Sequence, residues 1–243
     1  MHLIKQILDI YISLSKKVDE LKFSEPVTEV YNPLDYAWNG FESYITKFLS
    51  VNVKNVFLGM NPGPWGMAQT GVPFGEVNSV REWLNLKNII VNKPENENAD
   101  YKIEGLNCRR SEISGKKLWG LFKERFITTE NFFSENIVLN YCPLLFMTDG
   151  KKSIRNLTPD KLKMSERKLL FEICNESLKN ILEIIKPDFL IGIGNFAASR
   201  LNEVNNLDSK VVKILHPSPA SPLSAKNWDL KVTEQLINSG VWR

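Results

Sequence analysis

Three polar side chains stand where apolar segments of the chain end, and they are the residues best placed to do chemistry. Asn61 follows the apolar run that ends near Leu58, Asn140 ends a second run, and His216 directly follows a third. A carboxamide can read a complementary amide edge, and an imidazole can donate or accept a hydrogen bond near neutral pH. These residue types predict a site for a polar organic ligand.

The loop from Gly59 to Glu76 is rich in glycine and proline and can form a rigid pocket wall, on which a flat ligand reaches main-chain N–H groups. Each candidate also has a structural alternative. For Asn61 taken alone, a simple Asn-Pro turn is the better explanation. Asn140 can equally serve as a turn or cap, and a single histidine at a strand end is more often structural. The prolines after His216 hold its ring in a fixed pose, which favours function.

Strands and helices that can position these residues alternate along the chain. Apolar runs predict four buried strands, and periodic stretches predict the helices around them. The strands are Val53–Leu58, Ile137–Asn140, Asp188–Ile193 and Lys210–Leu215; the helices are Leu3–Leu21, Tyr36–Leu49, Lys116–Phe126, Ser165–Ile185, Phe196–Leu201 and Lys226–Ile237. This order predicts an α/β fold, a three-layer αβα sandwich with a central, mainly parallel four-stranded sheet. Ligands bind beyond the carboxyl ends of such strands, where the three candidates stand.

Composition and charge set the broad class of protein. The 243 residues are 43% hydrophobic and 24% charged, so we expect one domain over residues 1–243, with residues 1–50 as a helical region packed on it. The net charge of +3 permits a polyanionic partner without requiring one. The three cysteines lack Cys-x-x-Cys spacing, which predicts a protein that works in the reducing cytoplasm and binds no metal. Because no signal peptide or long apolar span occurs, we expect a soluble protein.

The run from Gly192 to Ala197 imitates a dinucleotide-binding fingerprint, because it follows a strand and opens a helix. The acidic residue expected about 20 positions later is missing, so close helix–strand packing explains these glycines better. P-loop, α/β-hydrolase and zinc-deaminase motifs are also missing from the sequence.

Four segments carry a resemblance to a known family: the run from Gly59 to Glu76, and the segments Asn140–Phe146, Arg155–Pro159 and His216–Pro219. In this order they resemble the single-strand-selective monofunctional uracil-DNA glycosylases, over about residues 53–228. The resemblance implies an enzyme that flips a damaged base out of DNA and hydrolyses its N-glycosidic bond. It implies an abasic product, no lyase step, no metal and no cofactor.

The resemblance also implies roles for individual residues. Asn61 matches the residue that orients the attacking water, and His216 matches the histidine that hydrogen-bonds O2 of the departing base. Asn140 matches the reader of the uracil amide edge, Phe74 matches the aromatic that stacks on the base, and the backbone of Met60 and Gly63 lines the pocket. For Phe74, an ordinary core position is the alternative. Space beside C5 in this family makes 5-hydroxymethyluracil a candidate substrate.

On the DNA side, the resemblance assigns contacts to the loop after His216. The residues expected to touch DNA are Pro217, Ser218, Ala220 and Ser221. In this family the loop wedges into the DNA duplex, and members with Arg-Asn in place of Ala220-Ser221 have a cation and a bulky side chain there. This chain has neither, so its wedge loop departs from the family pattern. Trp65 also replaces a common Phe. Basic clusters can touch phosphates, although each alone is usually a solvated face: Arg109-Arg110, Lys116-Lys117, and Lys151-Lys152 with Arg155.

The sequence therefore predicts a monomeric, cytoplasmic DNA repair glycosylase, or a nuclear one if the source is eukaryotic. The expected substrates are uracil, 5-hydroxymethyluracil and, as a hypothesis, xanthine, in single- or double-stranded DNA. The expected partner is DNA with damaged or deaminated bases, with no membrane and no obligate protein partner. Two alternatives stay open: an inactive module that binds damaged bases, and a hydrolase of free nucleosides.

Overall fold

A computed structural model describes residues 2–149, 155–218 and 226–243 of the protein. Its strands are β1 (Glu29–Tyr31), β2 (Asn55–Gly59), β3 (Asn136–Asn140), β4 (Leu145–Thr148), β5 (Arg155–Leu157), β6 (Phe189–Ile193) and β7 (Lys210–Ile214). Its α-helices are α1 (His2–Asp19), α2 (Pro33–Tyr36), α3 (Trp38–Phe48), α4 (Met67–Thr70), α5 (Ile113–Phe126), α6 (Thr129–Phe133), α7 (Met164–Ile185), α8 (Asn195–Val204) and α9 (Trp228–Asn238). Shorter helical turns occur at Ser79–Trp83, Gly105–Asn107 and Pro159–Lys161.

The central sheet contains β2, β3, β6 and β7 in the order β3-β2-β6-β7, and all neighbouring pairs are parallel. Every residue of β2 is buried, because helices cover both faces of a sheet built by parallel crossovers. Strand β7 lies at an edge, and its lysines, Lys210 and Lys213, are exposed. The α/β class and the four-stranded parallel sheet expected from the sequence are confirmed.

A second sheet was not predicted from the sequence. It is antiparallel, has the order β1-β4-β5, and consists of strands of three or four residues. Strands this short contain too few residues for a period to be recognised. The small sheet matters for function because its last strand leads into Thr158, close to the carboxyl edge of the central sheet.

The helix predicted over residues 36–49 is two helices, α2 and α3, separated by Ala37. The first begins earlier than predicted, because the Asn32 side chain caps it by accepting a hydrogen bond from the Leu34 N–H, and Pro33 starts its first turn. The N-terminal helix α1 packs on α7 and buries an apolar stripe that includes Ile7 and Leu14. No helix in the described ranges is long and apolar enough to cross a membrane.

Candidate active site

The carboxyl ends of β2, β3 and β7 surround a cavity of about 260 Å³. Its lining includes seven residues singled out from the sequence: Met60, Asn61, Gly63, Phe74, Asn140, His216 and Ser218. Pro217 is buried next to His216 and does not line the cavity. Ala220 and Ser221, the two remaining predicted DNA contacts, lie outside the described residues, as do Lys151 and Lys152. The structure thus brings the predicted catalytic and base-binding residues together.

A larger cavity, of about 480 Å³, opens at the opposite edge of the central sheet. It is lined by residues at the amino ends of the strands, among them Lys54, Asn55 and Asp188, and by Trp242 near the C-terminus. None of the predicted site residues lies there. Because open parallel sheets bind ligands at their carboxyl edge, the smaller cavity is the candidate active site.

Asn61 is oriented by the chain that enters the small sheet. Its Nδ2 atom donates a hydrogen bond to the Leu144 carbonyl oxygen at 3.1 Å. The carbonyl oxygen and the NH₂ group of a carboxamide diverge from the same carbon in one plane. The bond to Leu144 therefore also fixes the direction of the Oδ1 acceptor. The arrangement can hold a water molecule through Oδ1 without supplying a strong base.

Asn140 is the last residue of β3 and pairs in register with Gly59 of β2. Its Nδ2 atom lies 3.2 Å from the Met67 sulfur, a weak acceptor, and its Oδ1 atom is buried without a hydrogen-bond partner. A buried acceptor left without a donor costs about 1–3 kcal/mol. An amide N–H on a bound ligand would satisfy this oxygen, so Asn140 has the geometry of a ligand-reading residue.

Phe74 holds its ring in the cavity through a strained backbone. It has a positive φ of 52°, which is rare for a bulky residue, and such strain typically costs about 1–3 kcal/mol and clusters at functional sites. Its carbonyl oxygen accepts hydrogen bonds from the Trp119 indole at 2.9 Å and from the Glu76 N–H at 2.7 Å, which stabilise the conformation. The centroid of its ring lies 6.3 Å from that of the His216 ring.

His216 presents a neutral imidazole with a defined tautomer. Its Nδ1 atom accepts a hydrogen bond from the Ser218 N–H at 3.1 Å, so the proton of the neutral ring is on Nε2. Burial lowers the pKa of His216 from 6.5 to about 4. The preceding residue, Leu215, is fixed on both sides, because its N–H donates to Gln235 and its carbonyl accepts from the Trp228 indole. The ring is therefore an uncharged hydrogen-bond donor at neutral pH.

The cavity also contains polar residues to which the sequence gave no role: Glu112, Ser114, Asn156 and Thr158. Asn156 and Thr158 belong to the run from Arg155 to Pro159. This run contributes to the family resemblance, but the sequence analysis assigned no functional role to its residues at this site. Glu112 directly precedes α5 and had no signal beyond a charged residue at the start of a helix. Burial, together with the nearby charge of Glu76, raises the pKa of Glu112 to about 7.

Gly59 is required by the close approach of the Asn140 and Phe74 side chains. A Cβ atom at this position would lie 2.3 Å from Asn140 Oδ1 and 2.4 Å from Cε2 of Phe74. We expect Gly59→Ala to displace both side chains and to lower, at least tenfold, the single-turnover excision of uracil that the resemblance implies, since small misplacements of positioning groups are costly. Gly120→Ala, where an added Cβ meets nothing within 4 Å, is the matched control and should keep the normal rate. A Gly59→Ala protein with full activity would contradict the geometry.

Comparisons with known proteins identify the class to which this fold and site belong. Residues 46–236 match the Uracil DNA glycosylase superfamily. The single-strand selective monofunctional uracil-DNA glycosylases of Rattus norvegicus and Bos taurus are each 39% identical to the chain over 233 residues, which is 95% of this chain and 82% and 84% of theirs. The chain belongs to the family of single-strand-selective monofunctional uracil-DNA glycosylases.

A solved structure supports the fold independently. The crystal structure of wild-type SMUG2 from Pedobacter heparinus superimposes with a TM-score of 0.72 and covers 97% of each chain. Its sequence identity to this chain is only 16%, so the likeness concerns the fold.

Proposed function

We propose that this protein hydrolyses the N-glycosidic bond of uracil in DNA and leaves an abasic site without cutting the strand. The observation that carries the proposal is the meeting of Asn61, Asn140 and His216 in one cavity beside the Phe74 ring. The activity named for the two mammalian relatives supports the same reaction. A base stacked in a duplex cannot reach such a cavity, so the target nucleotide must swing out of its strand.

In the proposed reaction, a water oxygen attacks C1′ of the deoxyribose while the bond from C1′ to N1 of uracil breaks. The bonding electron pair leaves with the base, the water oxygen becomes the C1′ hydroxyl, and the released proton passes to the departing anion or to solvent. Asn61 holds this water through Oδ1, since its NH₂ group is bonded to Leu144. Because a carboxamide is not a strong base, the rate depends mainly on stabilising the departing anion.

His216 provides that stabilisation by donating from Nε2 to O2 of the base, where negative charge grows in the transition state. A preorganised donor of this kind is typically worth about 10²–10³ in rate. The imidazole is held by Ser218 and kept neutral by burial, so the donor is present at physiological pH.

Asn140 and Phe74 select and hold the base. The Asn140 Oδ1 atom accepts from N3–H of uracil, and Nδ2 donates to O4; cytosine presents the opposite pattern and is rejected. Phe74 stacks on the ring, a contact worth roughly 1–3 kcal/mol per base. The Oδ1 atom of Asn140, which is buried without a hydrogen-bond partner in the protein, supports this assignment.

Beside the cavity, an aromatic and cationic stack gives a surface for the flanking nucleic acid. The Arg110 guanidinium lies 4.2 Å from the centroid of the Trp65 ring, which in turn stacks on Tyr101. Such groups bind phosphates and unpaired bases.

We extend the proposed activity to 5-hydroxymethyluracil and xanthine, in single- and double-stranded DNA, with the whole chain acting as one monomeric domain.

The test uses end-labelled oligonucleotides that each contain one uracil, incubated with the protein in the presence of EDTA. We expect strand scission only after alkali treatment, because the abasic product is alkali-labile and the strand itself is not cut. Scission before alkali would contradict the absence of a lyase step. Tight binding without any release of uracil would instead identify a damaged-base binding module, and release from free deoxyuridine alone would identify a nucleoside hydrolase.

A further inference from the structure

Two side chains of helix α9 reach the chain directly before His216. The Trp228 indole donates from Nε1 to the Leu215 carbonyl oxygen at 2.9 Å, and Gln235 Oε1 accepts from the Leu215 N–H at 3.0 Å. Trp228 is buried and begins α9, and Gln235 follows seven residues later. Because seven residues make nearly two helical turns, both side chains lie on one face of the helix. Both main-chain polar groups of Leu215 are therefore bonded to α9.

These bonds replace the neighbouring strand that Leu215 lacks on one side. Leu215 directly follows β7, the edge strand of the central sheet. On the β6 side, the Gly194 N–H donates to the Ile214 carbonyl oxygen at 2.9 Å. In a trans peptide the N–H points opposite to the carbonyl, so the Leu215 N–H faces away from β6. Main-chain groups at an open edge otherwise bond to water, and α9 instead supplies an acceptor and a donor of fixed position.

The same bonds fix the backbone of His216. The Leu215 carbonyl belongs to the planar peptide unit that contains the nitrogen of His216, so its direction sets where the His216 side chain begins. The ring is held from the other side, because its Nδ1 atom accepts from the Ser218 N–H at 3.1 Å. Gly194 packs against it as well, since a Cβ atom there would lie 3.2 Å from His216 Cβ. A shift of Leu215 would thus move the imidazole within the cavity.

We propose that Trp228 and Gln235 are positioning residues that hold His216 where it can donate to O2 of the departing base. The proposal rests on the proposed function, which gives His216 that role. Neither α9 side chain lines the cavity, so any effect on excision must pass through the chain that they hold. Because the bond from His216 strengthens as charge develops on the base, a displaced ring should slow the chemical step more than it weakens binding.

The first test removes the indole donor and keeps an aromatic ring. We expect Trp228→Phe to lower single-turnover excision of uracil from a single-stranded oligonucleotide about tenfold, since small misplacements of a catalytic group are costly. Affinity for an uncleavable uracil analogue in DNA should stay within about threefold of the wild type. Trp242→Phe is the matched control: this indole is also buried, its Nε1 atom has no hydrogen-bond partner among the described residues, and the rate should stay normal.

A double-mutant cycle separates positioning from a general structural role. In the His216→Leu background, Trp228→Phe should lower the residual rate less than about twofold, because the imidazole through which Trp228 acts is gone. The same proportional loss in both backgrounds would overturn the proposal. Gln235→Met removes the acceptor for the Leu215 N–H and should slow excision in the wild-type background, whereas Gln235→Glu keeps an acceptor and should lose much less.

Nitrogen NMR of the imidazole tests the positioning without using activity. His216 and His2 are the two histidines of the chain, so His2→Leu assigns the signals. At neutral pH we expect the Nε2–H tautomer of His216 in the wild type and a mixture of tautomers in Trp228→Phe, because Nδ1 loses its alignment with Ser218. An unchanged spectrum would overturn the proposal whatever the rate.

Failure of the proposed function gives a different result. If the wild type releases no uracil, that function has failed, and the nitrogen spectra still decide whether α9 holds the ring. Thermal melting of each variant shows that the compared proteins are folded at the assay temperature.

Discussion

Replacing His216 with leucine is expected to lower single-turnover excision of uracil by two to three orders of magnitude. The neutral ring donates from Nε2, because Nδ1 is engaged by Ser218 and the pKa of the ring is about 4. Leucine has a comparable volume but no donor, so the developing charge on O2 loses its partner, and one such donor typically supplies about 10²–10³ in rate. Rates measured under enzyme excess report the chemical step without product release.

The control for this variant is the other histidine. His2→Leu makes the same chemical change at an exposed position on α1 and should leave the rate unchanged. Affinity for an uncleavable uracil analogue in DNA should fall much less than the rate in His216→Leu, since the hydrogen bond strengthens as charge develops. A near-normal excision rate would overturn the role assigned to His216.

The sequence predicted the central sheet because β2, β3 and β6 are almost entirely buried and read as nearly continuous apolar runs, and because the edge strand β7 keeps a short β-branched segment between its exposed lysines. The strand predicted at residues 53–58 is observed at Asn55–Gly59, and the others agree to a similar degree. The small sheet escaped prediction because its strands are held by long-range pairing, with β1 bonded to β4 across more than 100 residues of chain. Pairing partners at such distance leave no local pattern.

The site shows the same division between local and long-range signals. Asn61, Asn140 and His216 could be placed together because the carboxyl ends of parallel strands share one edge of the sheet. Glu112 could not, since it reaches the cavity from the start of a helix whose position depends on packing against the Phe74 turn. The positive φ of Phe74 could not be predicted from the sequence either, although it is the backbone feature that distinguishes the site most clearly.

Replacing Asn140 with aspartate is expected to lower excision of uracil about a hundredfold at pH 8 and to weaken the preference for uracil over cytosine. An ionised carboxylate only accepts hydrogen bonds, so it accepts from N3–H but repels O4, and the buried charge adds a further penalty. A protonated carboxyl carries one donor and one acceptor and matches uracil or cytosine equally well. Uracil excision should therefore partly recover as the pH falls.

As the pH falls from 8 to 5, His216 stays neutral, because its pKa is about 4, whereas Glu112, with a pKa of about 7, also takes up a proton in the wild type. The introduced carboxyl is therefore measured by the recovery that Asn140→Asp shows beyond the pH profile of the wild type. Rates on uracil and cytosine oligonucleotides between pH 8 and pH 5 measure both effects. Asn52→Asp adds the same charge at an exposed position before β2, far from the carboxyl edge, and should keep the wild-type profile. If Asn140→Asp excises uracil normally at pH 8 and still rejects cytosine, another group reads the amide edge, and the buried Oδ1 atom of Asn140 has only a structural role.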